Sequence, residues 1–190
     1  MPGHHPAMRM TAADFDSFAD DLDAAVAELI AAIGQDPTPW ERRPGDRWTV
    51  GQHAAHVAIT LRRTADEFEA AERSLRAGTL PPVPAKRTLL NRVFLWLVAG
   101  RGVMPRGAKT ADWAVAPERP ERQATLDALR QGAERHRALG GRLDHAERDR
   151  LWIVNPFRTG WHYRLPEMVR VHAVHARHHA KQVAEIVAGG

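Results

Sequence analysis

Apolar residues recur at intervals of three and four along four long stretches of this chain, and nowhere do they alternate over the length of a strand. Such spacing places side chains on one face of an α-helix. In the first stretch that face holds Phe15, Phe18, Leu22, Ala25, Val26, Leu29 and Ile33. Thr11 and Asp14 are spaced as a capping box with Asp in the usual Glu place. Gly34 and Pro37 close the helix, so the spacing predicts it over 12–33. The second helix opens on the capping box of Thr49 and Gln52 and carries Val50, Ala54, Val57, Leu61, Thr64 and Phe68 on one face. Gly78 stops it. The third runs over about 121–139, with Leu126, Leu129, Ala133, His136 and Leu139 inward and Gly140-Gly141 at its end. The fourth starts with Pro166 near the first helical position and reaches about residue 188.

The connections are uneven. Pro81, Pro82 and Pro84 forbid regular structure, and residues 88–99 form a short, strongly apolar helix. Residues 100–120 are a long link rich in Gly and Pro, of the kind that carries function or is only partly ordered. Residues 142–164, with Trp152, Pro156, Phe157 and Trp161, read as irregular, and no strand is expected. The expectation is an all-α four-helix bundle with a short extra helix in the long helix 2–helix 3 connection. Because the excursion over 78–120 can cross the bundle, simple up-down-up-down order does not follow. Residues 1–10 read as a flexible leader and 11–190 as a single helical domain, long enough to bury a core without staples.

Composition narrows the chemistry. The chain has no cysteine, which removes disulfides, thiolate zinc sites, iron–sulfur clusters and cysteine nucleophiles together. Any metal site must use His, Asp, Glu or water. The net charge is +4 and the pI about 10.3. Only Lys86, Lys109 and Lys181 are lysines. Arginine keeps its charge, so a small excess lifts the pI far. The arginines alternate with acids, as over 69–76 and 118–122, and no basic arm or recognition helix stands out. A nucleic-acid partner is therefore not expected. The longest apolar run, 93–99, is far short of a bilayer span, and the first residues lack a signal-peptide core. These features predict a cytoplasmic protein with no membrane partner.

Histidine placement is the most informative feature. Four of the eleven His lie within eight residues: His172, His175, His178 and His179. On a helix, His175 and His179 stand one turn apart on a single face. Met168, His172, Gln182 and Ile186 share it. That face is expected to point inward, because Arg170, Arg177, Lys181 and Glu185 occupy the other side. His178 sits nearer the edge. Two His at i and i+4 can aim their ring nitrogens at one point, and a first-row metal there needs a further ligand and an open position for chemistry. Helix 2 offers His53 and His56. The plainer alternative is a set of hydrogen-bonded polar residues at partly buried positions.

Two segments together resemble a known family. Trp48-Thr49-Val50-Gly51-Gln52-His53-Ala54-Ala55-His56-Val57 and His175-Ala176-Arg177-His178-His179-Ala180-Lys181-Gln182-Val183 are similar to the two signature segments of the DinB-like superfamily, in the same order and about 120 residues apart. The resemblance implies a four-helix bundle in down-up-up-down order. It implies a divalent metal, nickel or zinc, held by His56, His175 and His179. It implies a metal-dependent enzyme, either a low-molecular-weight-thiol S-transferase or a hydrolase, acting on a small-molecule substrate and, for the transferase, with a thiol cosubstrate. His53 falls where the family has an apolar residue, which makes it core or a support for a ligand. His172 and His178 have no ligand role in the pattern. Gln182 reads as a support or helix contact, and Trp48 as structural.

No carboxylate is placed as a general base: Glu67 lies about three turns beyond His56, and Asp66 and Glu69 read as solvated. His172, one turn before His175, is the spare acid–base candidate, with packing as the alternative. Trp161 and His162 could border a pocket, and Arg158 or Arg164 could hold an anion. The apolar 88–99 helix covers the core, lines a hydrophobic pocket, or forms a homodimer face. The competing function is a non-catalytic helical metal-binding or stress-response protein. A fourth ligand from His53 or His172, closing the coordination shell, would favour it.

Overall fold

The computed structural model describes residues 11–105, 110–156, 158 and 160–189. The expected leader over 1–10, Phe157 and part of the 100–120 link lie outside them. Thr11 donates its backbone N–H and its hydroxyl to the Asp14 carboxylate, 3.0 Å each, at the start of helix α1 (Phe15–Ile33). A 3₁₀ turn over Ala12–Asp14 replaces the first turn expected there. Gly34, at φ 73°, ends α1 in a conformation that a side chain would strain. Helix α2 (Val50–Arg76) opens on the expected box: Thr49 accepts from the Gln52 N–H and Gln52 accepts from the Thr49 N–H, both at 3.0 Å.

The 88–99 segment is helix α3 (Leu89–Leu95) running on into a π-helical turn over Trp96–Gly100. Helix α4 (Arg122–Gly141) starts behind Glu121, whose carboxylate accepts the Gln123 and Ala124 N–H groups. It extends through both glycines that were expected to stop it. Gly140 is needed inside it: a Cβ there would lie 2.0 Å from Phe15 Cζ.

Residues 142–164 are not irregular. They hold helix α5 (His145–Arg150) and an antiparallel pair, β1 (Trp152–Val154) with β2 (His162–Arg164), in which Ile153 faces Tyr163. A second capping box, Asp144 with Glu147, starts α5. Helix α6 (Leu165–Ala188) follows directly. The described residues are thus mostly helical, with six α-helices and one two-stranded sheet.

Helix α1 lies along α6 and α2 along α4, while α1 also meets α4 and α2 meets α6. One apolar cluster joins them, with Phe15, Leu29, Leu61, Phe68, Leu129, Leu139, Met168 and Val183 at its centre. The polar side of α6 does not simply face water. Arg170 pairs with Asp21, and Arg177 with Asp21 at 2.6 Å and Glu28 at 3.1 Å, so this side is laced to α1. Arg135 clamps α4 to Glu69 and Asp66 of α2, and Arg137 clamps it to Asp20 and Asp23 of α1. Arg135, Arg137, Arg170 and Arg177 are therefore matched to acids of neighbouring helices. No helix among the described residues is long and apolar enough to cross a membrane.

Candidate metal centre

The site is built where the first turns of α2 face the middle of α6. The box at Thr49 fixes where α2 begins, so His53 and His56 fall on its first two turns, facing α6. His175 and His179 lie one turn apart on α6, as the spacing predicts. The ligand-capable nitrogens of His56, His175 and His179 converge. His56 Nε2 is 3.2 Å from His175 Nε2, and His175 Nε2 is 3.0 Å from His179 Nε2. Two imidazoles on one ion, each at about 2.0–2.1 Å, place their nitrogens roughly 2.9–3.4 Å apart for bond angles between 90° and tetrahedral. These two separations fall in that range, and all three nitrogens lie within 4.8 Å of one another. Among the described residues these three form the one His/Asp/Glu group close enough to share an ion.

Two of the three rings are oriented by their other nitrogens. His56 Nδ1–H donates to the Ala114 carbonyl at 2.8 Å, which leaves the Nε2 lone pair facing the centre. Ala114 closes a 3₁₀ turn (Asp112–Ala114) inside the long 100–120 connection, so that link contributes a backbone acceptor. His179 Nδ1 meets His53 Nδ1 at 2.9 Å, and with the proton on His179 its Nε2 is likewise free to bind. His53 engages the outer nitrogen of a ligand and stands outside the convergent set, so it does not close the shell.

Burial sets the protonation state. His175 and His179 are held well below the ordinary histidine pKa, by desolvation first and by neighbouring imidazoles second. Desolvation lowers His56 as well, against the Ala114 bond, and lowers His53 to about 4. All four are neutral at pH 7, as metal ligation requires. His175 is half-buried, while His56 and His179 are buried. The Trp48 ring, 4.9 Å from that of His56 and 6.4 Å from that of His179, walls the cluster.

The remaining sequence candidates divide. His172 is buried at 1% exposure, with Nε2 2.7 Å from Thr64 Oγ1 and its ring 5.2 Å from His136. Its Nδ1 has no partner among the described residues. It belongs to a buried Thr64–His136–His172 group one turn from His175 and outside the ligand set. His178 is half-buried at the edge, its ring 5.3 Å from His179. His162 and Trp161 take no part in the cluster. Arg87 donates to His162 at 3.1 Å and forks onto Glu167 at 2.7 and 2.6 Å. Trp161 lies tilted against Phe94, with Arg158 over its ring, and the Arg164 N–H donates to Glu167. Glu67 pairs with Arg63 on the exposed side of α2.

Sequence reasoning missed the Ala114 carbonyl and Thr64. A backbone acceptor in a loop leaves no side-chain signature, and Thr64 reads as one more residue of an inward face. Compared with family models, with curated proteins and with solved structures, the chain has no match.

Proposed function

We propose that the chain is a divalent-metal-dependent enzyme of the DinB-like superfamily, a thiol S-transferase or a hydrolase, with His56, His175 and His179 as ligands of nickel or zinc. The four long helices would form a bundle in down-up-up-down order, consistent with α1 lying along α6 and α2 along α4. The observation that carries the reading is the convergence of three neutral imidazoles, two of which, His56 and His179, already have their outer nitrogens engaged. A structural zinc site takes four protein ligands, whereas a catalytic one keeps a position for water or substrate. Three protein ligands beside a half-buried His175 are the second kind. A cation held there supplies a lowered pKa to a bound water or thiol near neutral pH.

The chain's own groups prepare that centre. His53 and the Ala114 carbonyl hold the ligand tautomers, Trp48 and the α2–α6 packing limit water, and His172 is the acid–base candidate nearest in the sequence. A small electrophile with a leaving group suits the transferase, and an ester or amide suits the hydrolase.

The test is metal content by elemental analysis of the wild type and of His175→Ala, both with His4 and His5 replaced by Ala so that the leader adds no ligand. About one nickel or zinc per chain, lost in the variant, is expected. Thiol-transfer and ester-hydrolysis panels on the loaded protein then separate the two reactions. A wild type that takes up no metal even on reconstitution refutes the proposal.

A further inference from the structure

Helix α3 and the π-helical turn after it are largely apolar on both sides, with Asn91 buried on the inner one. Its inner side is seated by Leu95, Val98 and Ala99, all buried, with Phe94 against Trp161 and Tyr163. Its outer side is Leu89, Leu90, Val93 and Trp96, exposed at 74, 58, 48 and 55%, with Val103 at 50% just beyond. Positions 89, 93 and 96 fall on one stripe of the helix, and 90 lies beside it. Large apolar side chains left this open on a folded chain mark a surface that something covers.

Charge says what covers it. No Asp or Glu occurs between Glu72 and Asp112. Around the apolar stripe stand Lys86 before the helix, Arg92 on its edge and Arg101 after it, all exposed. None of the three forms an ion pair with a carboxylate among the described residues, and Arg101 lies over the Trp96 ring at 5.5 Å. A second copy on this face would bring the same cations against one another across a twofold axis. The stripe would also supply on the order of half the ~800 Å² that each partner of a stable dimer buries. Leucine, valine and tryptophan ringed by unopposed cations match the interface of an anionic bilayer. There the acyl boundary takes the side chains, the headgroup level takes the indole, and the phosphates take the cations.

We propose that the outer face of α3 docks the protein onto anionic phospholipid membranes. The expectation of no membrane partner rested on spanning length and the lack of a signal-peptide core, and a helix that lies flat in the interface needs neither. The inner face holds α3 in place beforehand, so docking carries no cost of folding a disordered segment. The proposal does not depend on the reading of the histidine centre.

The absence of cysteine supplies the probe. Val93→Cys, labelled with an environment-sensitive fluorophore, reports the polarity at one position only. On vesicles of phosphatidylcholine with one-third phosphatidylglycerol at low salt, a blue-shifted emission and saturable binding are expected. Binding should be at least tenfold weaker on phosphatidylcholine alone or in 0.5 M salt. Leu89→Ser with Trp96→Ser should weaken binding more than tenfold. Replacing Lys86, Arg92 and Arg101 by Gln should weaken it about fivefold per cation. These side chains are exposed, so unchanged helicity confirms that both variants fold. No shift on anionic vesicles overturns the proposal. So does a shift without lipid that grows with protein concentration alongside a doubled mass, which assigns the face to a second copy. An unchanged affinity in the Leu89→Ser/Trp96→Ser protein overturns it as well.

Discussion

His53 is the most informative residue to change, because it touches a candidate ligand without belonging to the candidate set. Its Nδ1 lies 2.9 Å from Nδ1 of His179, and both rings are more than nine-tenths buried. Burial and the neighbouring imidazole hold its pKa at about 4, so at neutral pH it is a neutral acceptor. In His53→Leu the His179 Nδ1–H loses that acceptor. The unsatisfied buried donor costs about 1–3 kcal/mol. In the metal-free protein His179 escapes the cost by moving its proton to Nε2, where it can donate to His175 at 3.0 Å. Metal binding must then undo this tautomer. The penalty falls on the bound state, and 1–3 kcal/mol is about 5- to 150-fold in affinity, overlapping the 10–100-fold typical of such supporting contacts. Competition against a chromophoric chelator at pH 7.5 measures it. His53→Gln, whose amide oxygen can accept, should recover part of the loss. An unchanged affinity in His53→Leu refutes the tautomer argument. A loss as complete as in His175→Ala refutes it too, since His53 would then be a ligand.

Gly140→Ala should destabilise the fold by about 1–3 kcal/mol, the usual cost of overpacking, because its Cβ would meet Phe15 Cζ at 2.0 Å. Gly141→Ala meets nothing within 4 Å and should cost nothing. Thermal melts of the pair decide it, and equal melting temperatures would sink the packing argument. The metal-free protein should lose stability as pH falls from 7 to 5. His136, fully enclosed, has its pKa lowered to about 4 by burial, below its unfolded value of about 6.5. The unfolded chain therefore takes up the proton first, and the contribution is full above about pH 6.5 and shrinks below it. His136 alone gives on the order of 2 kcal/mol over that interval. Urea denaturation at pH 7 and pH 5 measures it, and a flat profile counts against the burial assignment.

The long helices were legible because their signals are redundant: a periodic face, a box at the start and a glycine at the stop all agree for α2. The pair His175 and His179 was legible for the same reason, since helix geometry alone brings i and i+4 together. Other features were carried by single weak signals. Strands of three residues are too short to show alternation, although Ile153, Val154 and Tyr163 are strand-favouring types. Asp144 and Glu147 have the spacing of a cap, but no apolar run follows to draw attention to it. The pairing of Arg170 and Arg177 with Asp21 and Glu28 lies beyond any reading of α6 alone. A charged helix face looks the same whether it meets water or a complementary helix. The orientation of His56 depends on a carbonyl 58 residues away, fixed only by the path of the backbone.

The candidate ligands His56 and His175 stand 119 residues apart, and α6 carries two of the three. Helix α6 in turn is seated chiefly on α1, the first long helix of the chain. A chain lacking α6 keeps His56 alone and has no centre at all. The site therefore cannot exist until α2 and α6 have come together. A coloured ion such as cobalt, bound there, would act as an optical clock for that closure. The onset of its absorbance during refolding would time a contact between residues far apart in the chain.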